Sequence, residues 1–184
     1  MKLIVVLLII YFLSRIIVSY ASRTVAKTDS RKMFSLILLC AELVTVMVIF
    51  SQIMINPLKW KIMENFLCFA IGINLSLIGV LLSVIGRFTL WENWNTARNF
   101  SLPKEIIKKG IYAFIRHPIY LGTWLTGIGF EMAMQSILII PAFLFGLILI
   151  CLLSFEEERM LTNFFGRKYR DYKIKTKMFI PKIF

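Results

Sequence analysis

The feature that most limits what this chain can become is a series of apolar runs, each nearly as long as a bilayer is thick. Leu3 to Tyr20, Met33 to Ile55 and Phe66 to Leu90 are all of this kind. At a rise of roughly 1.5 Å per residue, a helix of about 20 residues crosses a hydrocarbon core. A shorter fourth run covers Ile119 to Met134 and a fifth covers Ile137 to Phe155. Only Gln135 and Ser136 lie between these two, so a tight helical hairpin is expected. Gly122, Gly127 and Gly129 in the fourth run would let a neighbouring helix approach closely. With 59% hydrophobic residues in 184, the chain has more apolar surface than a soluble core encloses. A mean hydropathy of +0.78 says the same, and the surplus is expected to face lipid. The expected fold class is all-α, a polytopic transmembrane bundle of about five spans in a single integral membrane domain covering 1–184.

Orientation follows from the basic residues. With the N-terminus outside, 17 Lys and Arg fall on the inner side and 3 on the outer, which places the C-terminus in the cytoplasm. On this reading 1–90 hold three spans, 91–118 a cytoplasmic loop, 119–155 the hairpin and 156–184 a cytoplasmic tail. A cleavable secretory signal is the competing reading of the first run, and Arg15 in its apolar centre speaks against it. The loop contains Pro103 and Gly110 and is too polar for hydrocarbon. In the tail, Leu161, Phe164, Phe165, Lys168, Tyr169 and Tyr172 recur at helical spacing, so an interfacial helix lying on the membrane is expected. The excess of 22 basic over 10 acidic residues lies between apolar runs, a pattern suited to anionic lipid headgroups rather than nucleic acid.

Metal and disulfide chemistry find no support. Cys40, Cys68 and Cys151 are odd in number, lack metal-ligand spacing and sit in apolar runs, while His117 is the single histidine. An organic cofactor, or none, is what remains.

Two clusters could carry chemistry. The first runs from Gly110 through Tyr112, Arg116, His117, Pro118, Ile119 and Tyr120 to Gly122, where the polar loop turns into a span. Structure alone accounts for each residue singly: proline for a first helical turn, arginine and histidine for an interface, tyrosines for an aromatic belt. The second is Glu156, Glu157 and Glu158 just past the fifth run. Three carboxylates at a helix C-terminal end oppose the macrodipole, so they call for a cationic partner, from the protein or from a ligand. Arg87, Glu42 and Glu131 lie in or near spans and are candidates by position, with mutual pairing or snorkelling as the plainer explanation.

Together the clusters read G-x-Y-x-x-x-R-H-P-x-Y-x-G, a hairpin, then E-E-x-x-L-x-x-x-F-G-x-x-Y-x-x-Y and a late proline, from Gly110 to Pro181. In this the chain resembles the isoprenylcysteine carboxyl methyltransferase and phospholipid methyltransferase superfamily of membrane enzymes. The resemblance implies S-adenosyl-L-methionine as cofactor and an active site at the cytoplasmic face, with no Gly-rich phosphate loop. It further implies a cofactor pocket drawn from Lys104, Glu105, Ile106, Ile107, Tyr112, His117, Pro118, Ile119, Tyr120 and Glu157. Leu161, Tyr169 and Tyr172 match the pattern and are expected to pack a lid.

A sulfonium is drawn to carboxylates and aromatic faces, which suits Glu157, Tyr112 and Tyr120. Arg116, His117 or Lys104 could meet the cofactor's carboxylate end. Arg116 and Glu158 are the candidates for a catalytic role, and Glu158 or His117 for a base if the acceptor needs one. The eukaryotic prenylcysteine enzymes have an arginine where this chain has Leu153, four residues before Glu157, which argues against a prenylcysteine carboxylate. The expected function is methyl transfer to a small lipophilic or prenylated acceptor, with membrane lipids as surroundings. The alternatives are an NADPH-dependent membrane reductase of related fold and a non-catalytic membrane scaffold.

Overall fold

The computed structural model describes residues 65–91 and 105–180. The runs Leu3 to Tyr20 and Met33 to Ile55, with Glu42, Lys104 and Pro181, lie outside the described residues, as does much of the expected loop. Among the described residues the chain is helical, with one isolated parallel bridge between Ile115 and Lys177 and no strand. We number the α-helices α1 (Phe66–Leu90), α2 (Pro118–Ala133), α3 (Ile139–Phe165) and α4 (Arg167–Lys175); a short 3-10 helix, Gly110–Ala113, precedes α2.

Helix α1 begins where the Asn65 side chain accepts hydrogen bonds from the amides of Leu67 (2.8 Å) and Cys68 (3.3 Å). It then runs through mainly apolar sequence to Leu90, with Ser76, Ser83 and Arg87 turned inward and buried. α1 and α3 are long and apolar enough to cross a bilayer, and only 28% and 17% of their most apolar stretches are buried. Exposed Leu77, Ile78, Leu81 and Ile85 on α1, and Leu144, Phe145, Ile148 and Leu152 on α3, give both a lipid-type surface. α2, at 16 residues, is shorter; it would reach roughly 24 Å of a core about 30 Å thick.

The α1–α2 seam is the closest helix contact among the described residues. Gly72, Gly79 and Gly86 recur every seven residues on α1, with Ser76 and Ser83 between them. A Cβ on Gly79 would lie 2.5 Å from the Thr126 amide nitrogen, and one on Gly129 would lie 2.4 Å from that of Ser76. The two backbones therefore touch. Gly72 meets Gly129 and Ala133, while Gly86 meets Pro118 and Ile119, so the helices run antiparallel. Ser76 and Ser83 donate hydrogen bonds across the seam to the carbonyls of Thr126 (3.2 Å) and Ile119 (3.3 Å). Of the three glycines expected to admit a neighbour, Gly122 and Gly129 do so; Gly127 faces nothing within 4 Å. This register puts Arg87 and Glu131 near opposite ends of the seam, roughly 20 Å apart at helical rise, so they do not pair with each other.

The hairpin forms as expected. Gln135, at φ +54, turns the chain. Its side chain bonds Asn65 reciprocally, accepting from the Asn65 amide at 3.1 Å and donating to its carbonyl at 2.9 Å. Trp124 fills the notch at Gly146 and donates to the Phe143 carbonyl at 3.1 Å, fixing α3 against α2.

Two expectations about the tail are corrected. α3 does not stop at Phe155 but continues to Phe165, so Glu156, Glu157 and Glu158 lie inside the helix rather than at the end of its dipole. The expected single stripe from Leu161 to Tyr172 is broken at Gly166, whose φ of +57 permits a sharp change of direction into α4. Tyr169 and Tyr172 consequently face protein and are buried, while Phe164 and Ile174 are exposed.

Candidate active site

The two sequence clusters, more than 30 residues apart, meet where α2 begins and the apolar part of α3 has ended. Local structure explains how. Gly110, at φ +58, starts the 3-10 turn that buries Tyr112. Pro118 occupies the first turn of α2, where its missing amide costs nothing, leaving His117 as the cap residue. Chain 114–117 is clamped by the segment after α4: the Arg116 amide donates to the Lys177 carbonyl (2.8 Å), the His117 amide to that of Met178 (3.2 Å) and the Lys177 amide to that of Phe114 (3.2 Å).

Glu158 is the hub of the site. Its Oε1 accepts from Arg116 Nε at 2.6 Å and lies 3.3 Å from His117 Nε2, while its Oε2 lies 2.5 Å from Lys173 Nζ. Arg116 Nη1 also donates to the carbonyls of Lys173 (3.2 Å) and Thr176. Glu157 differs from its neighbour. Its Oε2 lies 3.6 Å from His117 Nδ1, and its side chain retains 20% exposure against 4% for Glu158. Glu157 also acts electrostatically on the buried Tyr112 and on the half-buried Tyr120, whose phenol it meets as a hydrogen-bond partner. The His117 ring stacks on Tyr120 at 5.6 Å and leans on Phe179 at 6.1 Å. Tyr172 donates to the Tyr112 carbonyl at 2.6 Å, tying α4 to the 3-10 turn.

The charges follow from this geometry. Burial alone would raise the Glu158 carboxyl, but hydrogen bonds from His117, Lys173 and Arg116 outweigh it and hold the group down at about 2. Burial would lower the His117 imidazole; hydrogen bonds to Glu157 and Glu158 prevail and raise it above 6.5. The Tyr112 phenol is pushed up by burial and by the charge of Glu157.

Of the sequence candidates, Arg116, His117, Pro118, Tyr120, Glu157 and Glu158 come together, with Tyr112 alongside and Ile119 packed on Gly86. Glu105 is exposed, Ile106 and Ile107 are half-buried in irregular chain, and none of the three joins this network among the described residues. Lys173 and Thr176 belong to the network although the sequence did not single them out. One lysine among the many of the tail carries no signal until the break at Gly166 aims it. Ser154, wholly buried one turn before Glu158, has no hydrogen-bond partner among the described residues.

The sequence profile of the phospholipid methyltransferase family matches residues 67–168, from α1 through the start of α4 and over more than half of the chain. The chain belongs to the phospholipid methyltransferase family. Curated relatives include protein-S-isoprenylcysteine O-methyltransferases from three organisms. That of Tribolium castaneum is 30% identical over 116 residues, covering 61% of this chain and 41% of the relative. That of Schizosaccharomyces pombe is 35% identical over 81 residues, covering 42% and 34%. The Saccharomyces cerevisiae protein is 32% identical over 118 residues, covering 59% and 49%. This chain thus spans less than half the length of each of these relatives.

The residues present suit the methyl donor implied by this family. A partly exposed carboxylate that meets His117 at 3.6 Å and the Tyr120 phenol, with the Tyr112 ring nearby, suits a sulfonium cation on its open side. A neighbouring carboxylate already saturated by protein cations would not serve.

Proposed function

We propose that the chain is an S-adenosylmethionine-dependent methyltransferase acting at the cytoplasmic membrane face on a small lipophilic or prenylated acceptor. The observation that carries this reading is the meeting of the tyrosine-histidine turn with the acidic pair in a protein of this family. When bound, S-adenosylmethionine supplies an electrophilic methyl group on a cationic sulfur.

The chain's contribution is mainly placement. Glu157, with the faces of Tyr112 and Tyr120, holds the cation, and Pro118 and Ile119 form the adjoining apolar wall. Arg116 and His117 are engaged with the acidic pair, which leaves Lys104 as the remaining candidate for the donor's carboxylate. Glu158, held near 2, is too weak a base to take a proton from an alcohol or amine; its part is to orient His117 and Arg116. A carboxylate acceptor requires no base, and for a phenol or thiol His117 is the group within the site that can exchange a proton. The exposed apolar flanks of α1 and α3 offer an acceptor a route from the bilayer.

The test is mass spectrometry of lipid extracts and prenylated peptides incubated with purified protein and S-adenosylmethionine labelled in its methyl group. A labelled product that falls at least about tenfold with Glu157→Gln supports the reading, because a charged hydrogen-bond partner is worth that much or more. A folded protein that labels nothing counts against it.

A further inference from the structure

Glu157 and Glu158 are consecutive, yet they have opposite fates. Consecutive residues on a helix point about 100° apart, so they enter different surroundings. Both oxygens of Glu158 are occupied, Oε1 by Arg116 and His117 and Oε2 by Lys173 at 2.5 Å. Lys173 is held at its other end too, because its carbonyl accepts from Arg116 Nη1 at 3.2 Å. The remaining cations of α4 and the segment after it, Arg167, Lys168, Arg170, Lys175 and Lys177, are exposed. Lys173 alone among these turns its ammonium into the buried site, and at 38% side-chain exposure it is also the network's most open member.

From this we infer that Lys173 is a positioning residue of the donor site. It pins Glu158 to α4 and so keeps that helix latched over the histidine turn, while Glu157, which meets only the neutral-capable His117 and Tyr120 among the described residues, keeps a partly exposed side open to a cation. Without it, Glu158 Oε2 is an unsatisfied acceptor that competes for His117. The side-chain bond between α4 and α3 is then lost, and the wall formed by Tyr169, Tyr172 and Phe179 loosens. This inference rests on the methyl-donor reading above.

The experiment is isothermal titration of the purified full chain with S-adenosylmethionine and with S-adenosylhomocysteine, well below the melting temperature. Wild type is compared with Lys173→Met, Lys173→Arg and Lys175→Met. The expected result is that Lys173→Met weakens both ligands about tenfold, the loss of one charged hydrogen-bond contact. Lys173→Arg restores most of the affinity and Lys175→Met leaves it unchanged. Should Lys173→Met not fold, Lys173→Gln keeps most of the stem but loses the charge and is expected to weaken both ligands by a smaller factor; wild-type affinity in that variant overturns the inference. A purely structural lysine would lower the melting temperature and leave affinity in the folded range untouched; that result overturns the inference, as does failure of arginine to rescue. If wild type binds neither ligand, the methyl-donor reading itself fails. If it binds both and the Lys173 variants bind equally well, the donor reading stands and only the role of Lys173 is lost.

Discussion

The α1–α2 seam and the α2–α3 junction are both helix contacts of one small bundle, but different forces hold them. The seam is built by subtraction: side chains are reduced to glycine and serine until backbones touch, and dispersion with weak cross-helix hydrogen bonds does the rest. The junction is built by addition, with Arg116, His117 and Lys173 assembled around one carboxylate. A seam of the first kind has no response to pH, salt or ligand. One of the second kind responds to pH and salt, which suits the junction to the binding role proposed for it and the seam to rigid support.

The largest expected effect comes from filling the seam. Gly79→Leu places a branched side chain where even a Cβ meets the Thr126 amide at 2.5 Å, and no folded protein should be recovered from detergent by size-exclusion chromatography. Gly127→Ala, with nothing within 4 Å, should behave as wild type. If both glycines tolerate substitution alike, the seam is not as tight as described.

Next in size is the removal of a partner at the junction. Arg116→Met removes one of the three cationic partners of Glu158, whose side chain is 4% exposed, together with the donor to the Lys173 and Thr176 carbonyls. The expected cost is about 3 kcal/mol, read from thermal unfolding in detergent. Replacing the pair together, with Glu158→Gln in the same chain, should recover part of that loss; the seam variants should show no such compensation.

The pH dependence sharpens the contrast further. His117 is raised above 6.5, so its contribution is fully present below 6.5 and is lost as pH rises through the higher folded value. Glu158 is lowered from 4.5 to about 2, so its contribution is complete above 4.5 and is lost as pH falls through about 2. Melting temperature should therefore be highest between these limits and decline on the alkaline side. His117→Gln should flatten the alkaline limb.

The smallest expected change is at Ser154. Removing a buried hydroxyl that lacks a partner should leave stability unchanged or raise it by about 1 kcal/mol in Ser154→Ala. A clear loss would mean that the hydroxyl has a partner after all.

Much of this was legible in the sequence because apolar length and glycine are loud signals. The third run coincides with α1, the hairpin closes at Gln135, and the motif from Gly110 to Gly122 meets the acidic pair. The losses have physical reasons. Apolar character ends at Phe155, but helical hydrogen bonding does not depend on hydropathy, so α3 continues through Glu158 to Phe165. The seven-residue repeat of Gly72, Gly79 and Gly86 was readable, yet it has meaning only opposite Gly122 and Gly129, and which helices face each other is a tertiary fact. Lys173 was hidden for the same reason: its importance depends on the turn at Gly166, and a lysine-rich tail reads as solvated whichever lysine points inward.

The central claim is that the histidine turn and Glu157 together form one donor site. Equilibrium binding of labelled S-adenosylmethionine to wild type and to Glu157→Gln tests it most directly, with melting curves recorded on the same samples. Saturable binding that weakens at least about tenfold in the variant, at an unchanged melting temperature, is the predicted result. Equal binding by the two proteins, both folded, would contradict the claim.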